Sequence, residues 1–167
     1  MPCTPDDALM VARRWHGDQV DKLGEDYVDG HLARVRRAVA KYGDPHLSVA
    51  AALHDVLEDT EATPEDLTAS GVCPEALEAV QIVTKRADEH GTDGYTRFIE
   101  RVAASGSLRA LRLKLADLED HLRPLDPEGQ PSEDGGRQAV ADLRERYAAA
   151  SGYLLARLRE LEGEGAG

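Results

Sequence analysis

The stretch LSVAAALHDVLEDT, residues 47–60, is the part of this sequence that decides the fold. Its first half is almost entirely apolar and contains neither glycine nor proline, which predicts a buried helix. Asp44 and Pro45 precede it, and these residue types are favoured at the N-cap and the first helical position. Because Thr63 and Pro64 open another short helix by the same logic, we expect the buried helix to end near residue 59.

The remainder of the chain also follows the helical period, and no stretch alternates apolar and polar residues as a strand does. Helices are predicted at about residues 5–19, 29–42, 45–59, 74–87, 93–104, 108–123 and 137–161. The fold class is therefore predicted to be all-α, a single compact bundle of about seven or eight helices. We expect the domain to span residues 1–162, with a surface loop at 124–136 and a disordered tail at 163–167.

The composition excludes several functional classes. The formal net charge is −12 and no basic stripe is visible, so we expect no nucleic-acid partner. No apolar run approaches the roughly 20 residues of a membrane helix, and the first residues do not resemble a signal peptide. Cys3 and Cys73 are too few for a disulfide framework. A cytoplasmic location is the resulting expectation, with no membrane partner.

Four polar residues crowd one side of the buried helix. At about 100° per residue, His54 lies in line with Glu58, and Asp55 lies in line with Asp59 beside them. Three carboxylates near a helix C-terminus repel one another and oppose the helix dipole. A bound cation reverses this balance, because the carboxylates then become its ligands. A solvated acidic patch is the alternative, but the apolar run before it favours a metal site.

Further ligands can come from two other predicted helices. His31 lies in line with apolar residues such as Val35, where a hydrogen-bonded core histidine is the common alternative to a ligand. Asp117 lies off the leucine stripe of its helix and needs a partner there. Its partner is either a metal or a cation such as Lys114, and both remain open. His46, near a helix start, has no partner that the sequence identifies.

The order of these segments carries a resemblance to a known family. They are ARRWHGDQVDK (12–22), AALHDVLEDT (51–60), IVT (82–84), YTRFIERV (95–102) and LKLADLEDHL (113–122). With them the sequence resembles HD-domain proteins, close to the RelA/SpoT-type hydrolases of guanosine 3′,5′-bispyrophosphate and their small stand-alone relatives. The resemblance covers about residues 8–123. It implies an all-helical fold and a metal-dependent phosphohydrolase.

The resemblance also implies a set of site residues. One divalent ion would be held by His31, His54, Asp55 and Asp117. Glu58 and Asp59 would orient or deprotonate the attacking water. The ion in that family is commonly Mn²⁺, and the mixed nitrogen and oxygen ligands are also compatible with Mg²⁺, Fe²⁺, Co²⁺ or Zn²⁺. Since only His90 lies between the HD pair and Asp117, a mononuclear centre fits better than a dinuclear one.

Three positions depart from the family pattern. His121 stands where the family usually has asparagine, Asp21-Lys22 replaces a basic pair, and one extra residue separates Tyr27 from His31. These changes leave fewer basic residues to bind phosphate groups. The substrate is expected to be a small phosphorylated molecule of nucleotide type, with guanosine 3′,5′-bispyrophosphate as one candidate. The candidate substrate contacts are Lys22, Lys85, Lys114, His121 and Tyr147. Core packing is the alternative role for Tyr147.

Two function classes remain from the sequence. The first is a metal-dependent phosphohydrolase, which the acidic pair Glu58 and Asp59 favours. The second is a non-catalytic HD-fold module that binds a nucleotide or regulates a partner around a structural metal. The apolar stripe of the last helix can serve the core or a dimer, so both monomer and homodimer stay open.

Overall fold

The computed structural model describes residues 3–123 and 134–164, and it describes side chains in the last helix from residue 139 to residue 163. A π-helical turn, Val28–Leu32, leads into the second helix, and a 3₁₀ turn, Ala40–Tyr42, ends it. The α-helical segments of this part are α1 Pro5–His16, α2 Ala33–Val39, α3 Pro45–Leu53, α4 Val56–Asp59, α5 Pro64–Ala69, α6 Pro74–Val83, α7 Gly91–Ala104, α8 Leu108–His121 and α9 Asp134–Glu164.

The helix starts follow the capping residues that the sequence predicts. The Thr4 hydroxyl accepts a hydrogen bond from the Asp7 amide, and the Asp7 carboxylate accepts one from the Thr4 amide. Asp44 caps α3 and Ser107 caps α8 in the same general way. These contacts satisfy amides that the first helical turn leaves without partners.

Two apolar clusters hold the helices together. The first joins α1, α2, α3 and α6 to one face of α8, and the second joins α7 and α9 to the opposite face of α8. Leu47 and Leu53 of the central α3 are fully buried in the first cluster. Counting α3 and α4 as one interrupted helix, the described residues contain eight helices, which confirms the all-α prediction. No helix among the described residues is long and apolar enough to cross a membrane.

The single helix predicted for residues 45–59 is wrong in one respect, because it is interrupted at His54 and Asp55. Asp55 has φ −97° and ψ −7°, outside regular helical values. The carbonyl of Ala51 accepts a hydrogen bond from Nδ1 of His54. This interruption lies directly at the candidate ligands, where irregular backbone is common. α1 and α6 are also shorter than predicted, ending at His16 and Val83.

The π-turn explains the extra residue between Tyr27 and His31. A π-turn holds more residues than an α-helical turn, so it absorbs one insertion while His31 keeps its inward position. Within it, Gly30 packs so tightly that an added Cβ would lie 2.6 Å from Oδ2 of Asp21. Asp21 cannot easily retreat, because it bonds Arg34 and the amides of Leu23 and Glu25.

Replacing Gly30 with alanine is therefore expected to lower the free energy of unfolding by about 1–3 kcal/mol through overpacking. Urea unfolding monitored by circular dichroism measures this change. Gly152 in α9 is a matched control, because an added Cβ there meets no atom within 4 Å. Gly152→Ala is expected to stabilise the protein by about 0.5–1 kcal/mol. Equal effects of the two changes would contradict the tight packing at Gly30.

Predictions for the ends of the domain are only partly within the described residues. α9 runs Asp134–Glu164, slightly beyond both predicted ends of the last helix. The predicted loop at 124–136 is wrong for residues 134–136, and the predicted tail at 163–167 is wrong for residues 163–164, because these residues belong to α9. The rest of the predicted loop and tail, residues 124–133 and 165–167, lies outside the described residues. The domain limits of 1–162 stay a prediction.

Candidate functional site

The four residues expected to hold a metal converge from three parts of the fold: the π-turn (His31), the break between α3 and α4 (His54 and Asp55) and α8 (Asp117). Nε2 of His31 lies 3.2 Å from Nε2 of His54 and 3.3 Å from Oδ2 of Asp55. Oδ1 of Asp117 lies 3.4 Å from the His31 nitrogen and 3.5 Å from the His54 nitrogen. His31, His54 and Asp117 thus place one donor atom each within 4.8 Å of the others.

An unsatisfied oxygen lies at the centre of this group. Oδ1 of Asp117 is buried and accepts no hydrogen bond, although Nε2 atoms of His31, His54 and His121 lie 3.0–3.5 Å away. A buried carboxylate oxygen without a partner is costly in a folded protein. A divalent cation between these nitrogen and oxygen donors would satisfy it, so the residues fit the metal that the sequence predicts.

The protonation states of the group also fit a cation. Burial raises the pKa of Asp117, but Lys114 and His121 oppose it and hold that pKa well below its usual range. Burial lowers the pKa of His31, yet the nearby Asp117, Asp120 and Asp55 carboxylates raise it to about 11. The Asp117 carboxylate therefore remains charged and draws positive charge toward it, which a divalent ion supplies when bound.

The outer nitrogens of both histidines are fixed by hydrogen bonds. Asp120 lies 2.8 Å from Nδ1 of His31, and the carbonyl of Ala51 lies 2.9 Å from Nδ1 of His54. With these partners each ring can keep a proton on Nδ1 and turn Nε2 toward the centre, which is the arrangement that a metal-binding histidine would need once its Nε2 has lost its proton. Arg34 donates to both oxygens of Asp120 and so holds that carboxylate in place.

Sequence reasoning missed two of these supporting residues, Asp120 and Arg34. Asp120 follows Asp117 by three positions, so helical spacing could have placed both on one face. Arg34 carried no comparable signal, because its partners Asp21 and Asp120 come from distant segments. Tyr27 also supports a candidate ligand from a distant part of the sequence, because its hydroxyl donates a hydrogen bond to Oδ2 of Asp55 at 2.6 Å.

The two carboxylates proposed to act on water differ in their surroundings. Both oxygens of Glu58 accept hydrogen bonds from Lys85, one from its ammonium and one from its amide. Asp59 is exposed, and the Tyr27 hydroxyl lies 3.5 Å from its Oδ2. Partial desolvation and the nearby charges of Asp55 and Glu58 raise the pKa of Asp59. Asp59 is therefore better suited to accept a proton than Glu58.

Three of the five predicted substrate contacts meet beside the candidate metal ligands. Nζ of Lys22 lies 2.9 Å from Nδ1 of His121, and the His121 ring stacks on Tyr147 at 5.3 Å between centroids. Lys22 also stands 5.3 Å above the Tyr147 ring. These residues border small hollows, one of about 80 Å³ lined by Lys22 and His121, and one of about 180 Å³ lined by Lys85, Arg146 and Tyr147.

The other two predicted contacts are lysines already paired with acids. Lys114 is buried and donates to Oδ2 of Asp117 at 2.6 Å, which is the partner that the sequence left open. Lys85 pairs with Glu58 at the rim of the larger hollow. Both ammonium groups lie within the site, and a phosphate group reaching them would have to share them with these carboxylates.

The loop before α7, which carries Lys85, is held by a buried ion pair. Glu89 is 4 % exposed and accepts hydrogen bonds from both Nε and Nη2 of Arg101. Arg101 also donates to the carbonyls of Ile82 and Thr84 at the end of α6. The hydrogen bond to Arg101 outweighs burial and lowers the pKa of Glu89 to about 2.

Glu89→Gln is expected to destabilise the protein at neutral pH by roughly 2–3 kcal/mol. Because the folded-state pKa lies below the ordinary value of 4.5, this stabilisation is complete above pH 4.5 and is lost as the pH falls toward 2. Urea unfolding of both proteins between pH 3 and 7 measures it. Glu78→Gln, on the exposed side of α6, is the control. A pH-independent difference would contradict the ion-pair origin.

Comparisons with known proteins show which proteins this chain resembles. The chain is 32% identical over 130 residues to a probable guanosine-3′,5′-bis(diphosphate) 3′-pyrophosphohydrolase of Mycoplasma pneumoniae, covering 71% of this chain and 18% of that protein. It is 34% identical over 121 residues to a GTP pyrophosphokinase of Streptomyces coelicolor, covering 71% and 14%. The chain thus spans less than a fifth of either curated relative. No family model matches it.

A solved structure resembles the chain over nearly all of its length. This structure is of a metazoan orthologue of SpoT that is described as hydrolysing ppGpp. The similarity has a TM-score of 0.71 and 27% sequence identity, and it covers 96% of this chain and 94% of the other. The comparison therefore extends the sequence similarity to the whole helical bundle.

Proposed function

We propose that this chain, an HD-domain protein similar in sequence and fold to ppGpp pyrophosphohydrolases, is a metal-dependent phosphohydrolase that removes pyrophosphate from a nucleotide. The observation that carries the proposal is the buried group of His31, His54 and Asp117 around the unsatisfied Asp117 oxygen, with Oδ2 of Asp55 3.1–3.3 Å from the two histidine nitrogens. A carboxylate pair, Glu58 and Asp59, adjoins this group on α4. A structural metal alone would need no such pair.

The divided roles of these residues follow from their contacts. When bound, a divalent ion supplies Lewis acidity, which polarises a phosphoryl oxygen and makes water a better nucleophile. Asp59 accepts the proton of the attacking water, because its pKa is raised and its carboxylate is exposed. Glu58 holds Lys85 in place at the rim of the hollow. The ion we propose is Mn²⁺, for which mixed imidazole and carboxylate ligands are suitable.

The substrate that fits best is guanosine 3′,5′-bispyrophosphate, which the solved neighbour is described as hydrolysing. The protein carries a net charge of −12, so it repels anions at long range and must bind phosphates through local cations. Lys22, Lys85 and Arg146 provide positive charge around the hollows. Tyr147 presents an aromatic ring near them, against which a purine base can stack.

A nucleotide panel tests the proposal. The purified chain is incubated with Mn²⁺ and ppGpp, pppGpp, GTP, GDP and a cyclic nucleotide, and the products are identified by chromatography and mass spectrometry. We expect pyrophosphate and GDP from ppGpp, and no products from the His54→Ala variant. Release of pyrophosphate from another nucleotide would support the proposed hydrolase activity but would show that ppGpp is not its substrate.

The panel also distinguishes the rival classes. If the Mn²⁺-containing chain binds one nucleotide tightly but does not hydrolyse it, the hydrolase proposal is wrong. That result would support a non-catalytic nucleotide-binding module. Since one curated relative is named a GTP pyrophosphokinase, the panel includes GTP with ATP. Formation of ppGpp from that mixture would likewise overturn the hydrolase proposal.

A further inference from the structure

A second group of metal-binding side chains lies outside the site described above. It consists of His46 near the start of α3, and Cys73 and Glu75 at the start of α6. One donor atom from each lies within 4.8 Å of the other two. Nδ1 of His46 is 2.9 Å from Sγ of Cys73. The group therefore combines an imidazole, a thiol and a carboxylate from two helices.

Neighbouring contacts fix the two helix starts relative to each other. Asp44 accepts hydrogen bonds from the amides of His46 and Leu47, which sets the first turn of α3. Arg109 of α8 donates to Oδ2 of Asp44 and to the backbone carbonyl of Glu75. One guanidinium thus joins the segments that carry the three donors. Ligands held in this way need little reorganisation to bind an ion.

Cys73 packs against the first apolar cluster, and its thiol faces the His46 ring and the Glu75 carboxylate. Cys73 occupies the N-cap position of α6, yet its side chain makes no capping hydrogen bond. A thiol loses its proton when it binds a metal. The resulting Cys73 thiolate and the Glu75 carboxylate would together balance the charge of a divalent ion. An ordinary solvent-exposed surface, or a histidine that only packs against the core, does not need an imidazole, a thiol and a carboxylate side by side.

We propose that His46, Cys73 and Glu75 form a second metal site, which binds one zinc-type divalent cation and clips the start of α3 to the start of α6. Zinc takes sulfur, nitrogen and carboxylate ligands in tetrahedral geometry, and a water molecule completes the fourth position. In that geometry the nitrogen and sulfur stand about 3.5 Å apart, so the His46 and Cys73 donors separate by roughly half an ångström on binding.

Cobalt titration tests this site apart from the first one. The quartet of His31, His54, Asp55 and Asp117 contains no sulfur, so thiolate-to-cobalt charge-transfer absorption reports a cysteine-containing site and not the quartet. We expect this near-ultraviolet absorption in the full chain, with one equivalent of Zn²⁺ displacing the cobalt that produces it. Cys73→Ser is expected to abolish the absorption, and His46→Gln to weaken cobalt binding there at least about 100-fold.

Cys3→Ser is the matched control, since Cys3 is the other cysteine of the chain. Its thiol contacts the carbonyl of Thr4, and it is not one of the three donors. We expect it to keep the absorption unchanged. An absorption that is absent from the full chain, or that Cys3→Ser removes as completely as Cys73→Ser, would overturn the proposal.

Zinc stoichiometry in the Asp117→Ala background separates this inference from the proposed function. We expect one zinc equivalent to remain in that variant, and none after Cys73→Ser is added. Zinc that persists in the double variant would count against the second site. If the quartet binds no metal but the second site does, the unaltered chain will bind one equivalent of zinc, and Cys73→Ser will remove it. Failure of the proposed function is therefore distinguishable from failure of this inference.

Discussion

Asp117→Ala is expected to remove bound Mn²⁺ and to lower kcat/KM for pyrophosphate release by at least about 10³-fold. The reason is that Oδ1 of Asp117 is a buried oxygen 3.0–3.5 Å from the Nε2 atoms of His31, His54 and His121, and it accepts no hydrogen bond. Equilibrium dialysis with Mn²⁺ measures the affinity, and release of pyrophosphate measures the activity. Manganese also binds thiolates poorly, so the dialysis reports the quartet alone.

Two further variants make the result decisive. Glu119→Ala removes a carboxylate two positions later on the exposed side of α8, and it is expected to leave both measurements unchanged. Because Asp117→Ala also leaves the buried Lys114 without its partner, His54→Ala provides a second test that spares this ion pair. Equal Mn²⁺ affinity in His54→Ala, Asp117→Ala and the unaltered chain would refute the quartet.

Asp59→Asn is expected to lower kcat by about 10²–10⁴-fold while Mn²⁺ affinity stays within about threefold. The amide keeps the shape of the side chain but cannot accept the proton of the attacking water. Asp59 makes no direct contact with His31, His54 or Asp117 among the described interactions, so the metal should still bind. Steady-state kinetics with ppGpp measure kcat, and equilibrium dialysis measures the Mn²⁺ affinity.

The pH profile separates a chemical role from a structural one. If Asp59 is the proton acceptor, the acidic limb of the kcat profile disappears in Asp59→Asn. Glu61→Gln, at a nearby exposed position, is the control and should keep both kcat and the limb. An Asp59→Asn enzyme with an unchanged acidic limb would assign the proton to another group, with Glu58→Gln as the next variant to measure.

Much of the fold could be predicted because its signals are local. Caps such as Thr4 and Asp44 bond amides within three positions, and apolar spacing within one helix shows which face is buried. The interruption at His54 and Asp55 could not be predicted in this way. The residues on both sides of it favour a helix, and the deviation depends on side-chain contacts such as that of Asp55 with the distant Tyr27.

The sequence by itself determined the helical architecture and identified the candidate ligands, because periodicity, capping residues and the HD segment each depend on residues that are close together in the sequence. Tertiary structure decided how these ligands are supported. Asp120 reaches His31 across 89 positions, and no spacing rule connects residues so far apart. It also decided that His46 meets Cys73, since only the packing of α3 against α6 brings an isolated histidine to a cysteine 27 positions later. Long-range donor geometry depends on how the whole core packs, whereas helix formation depends on one turn at a time.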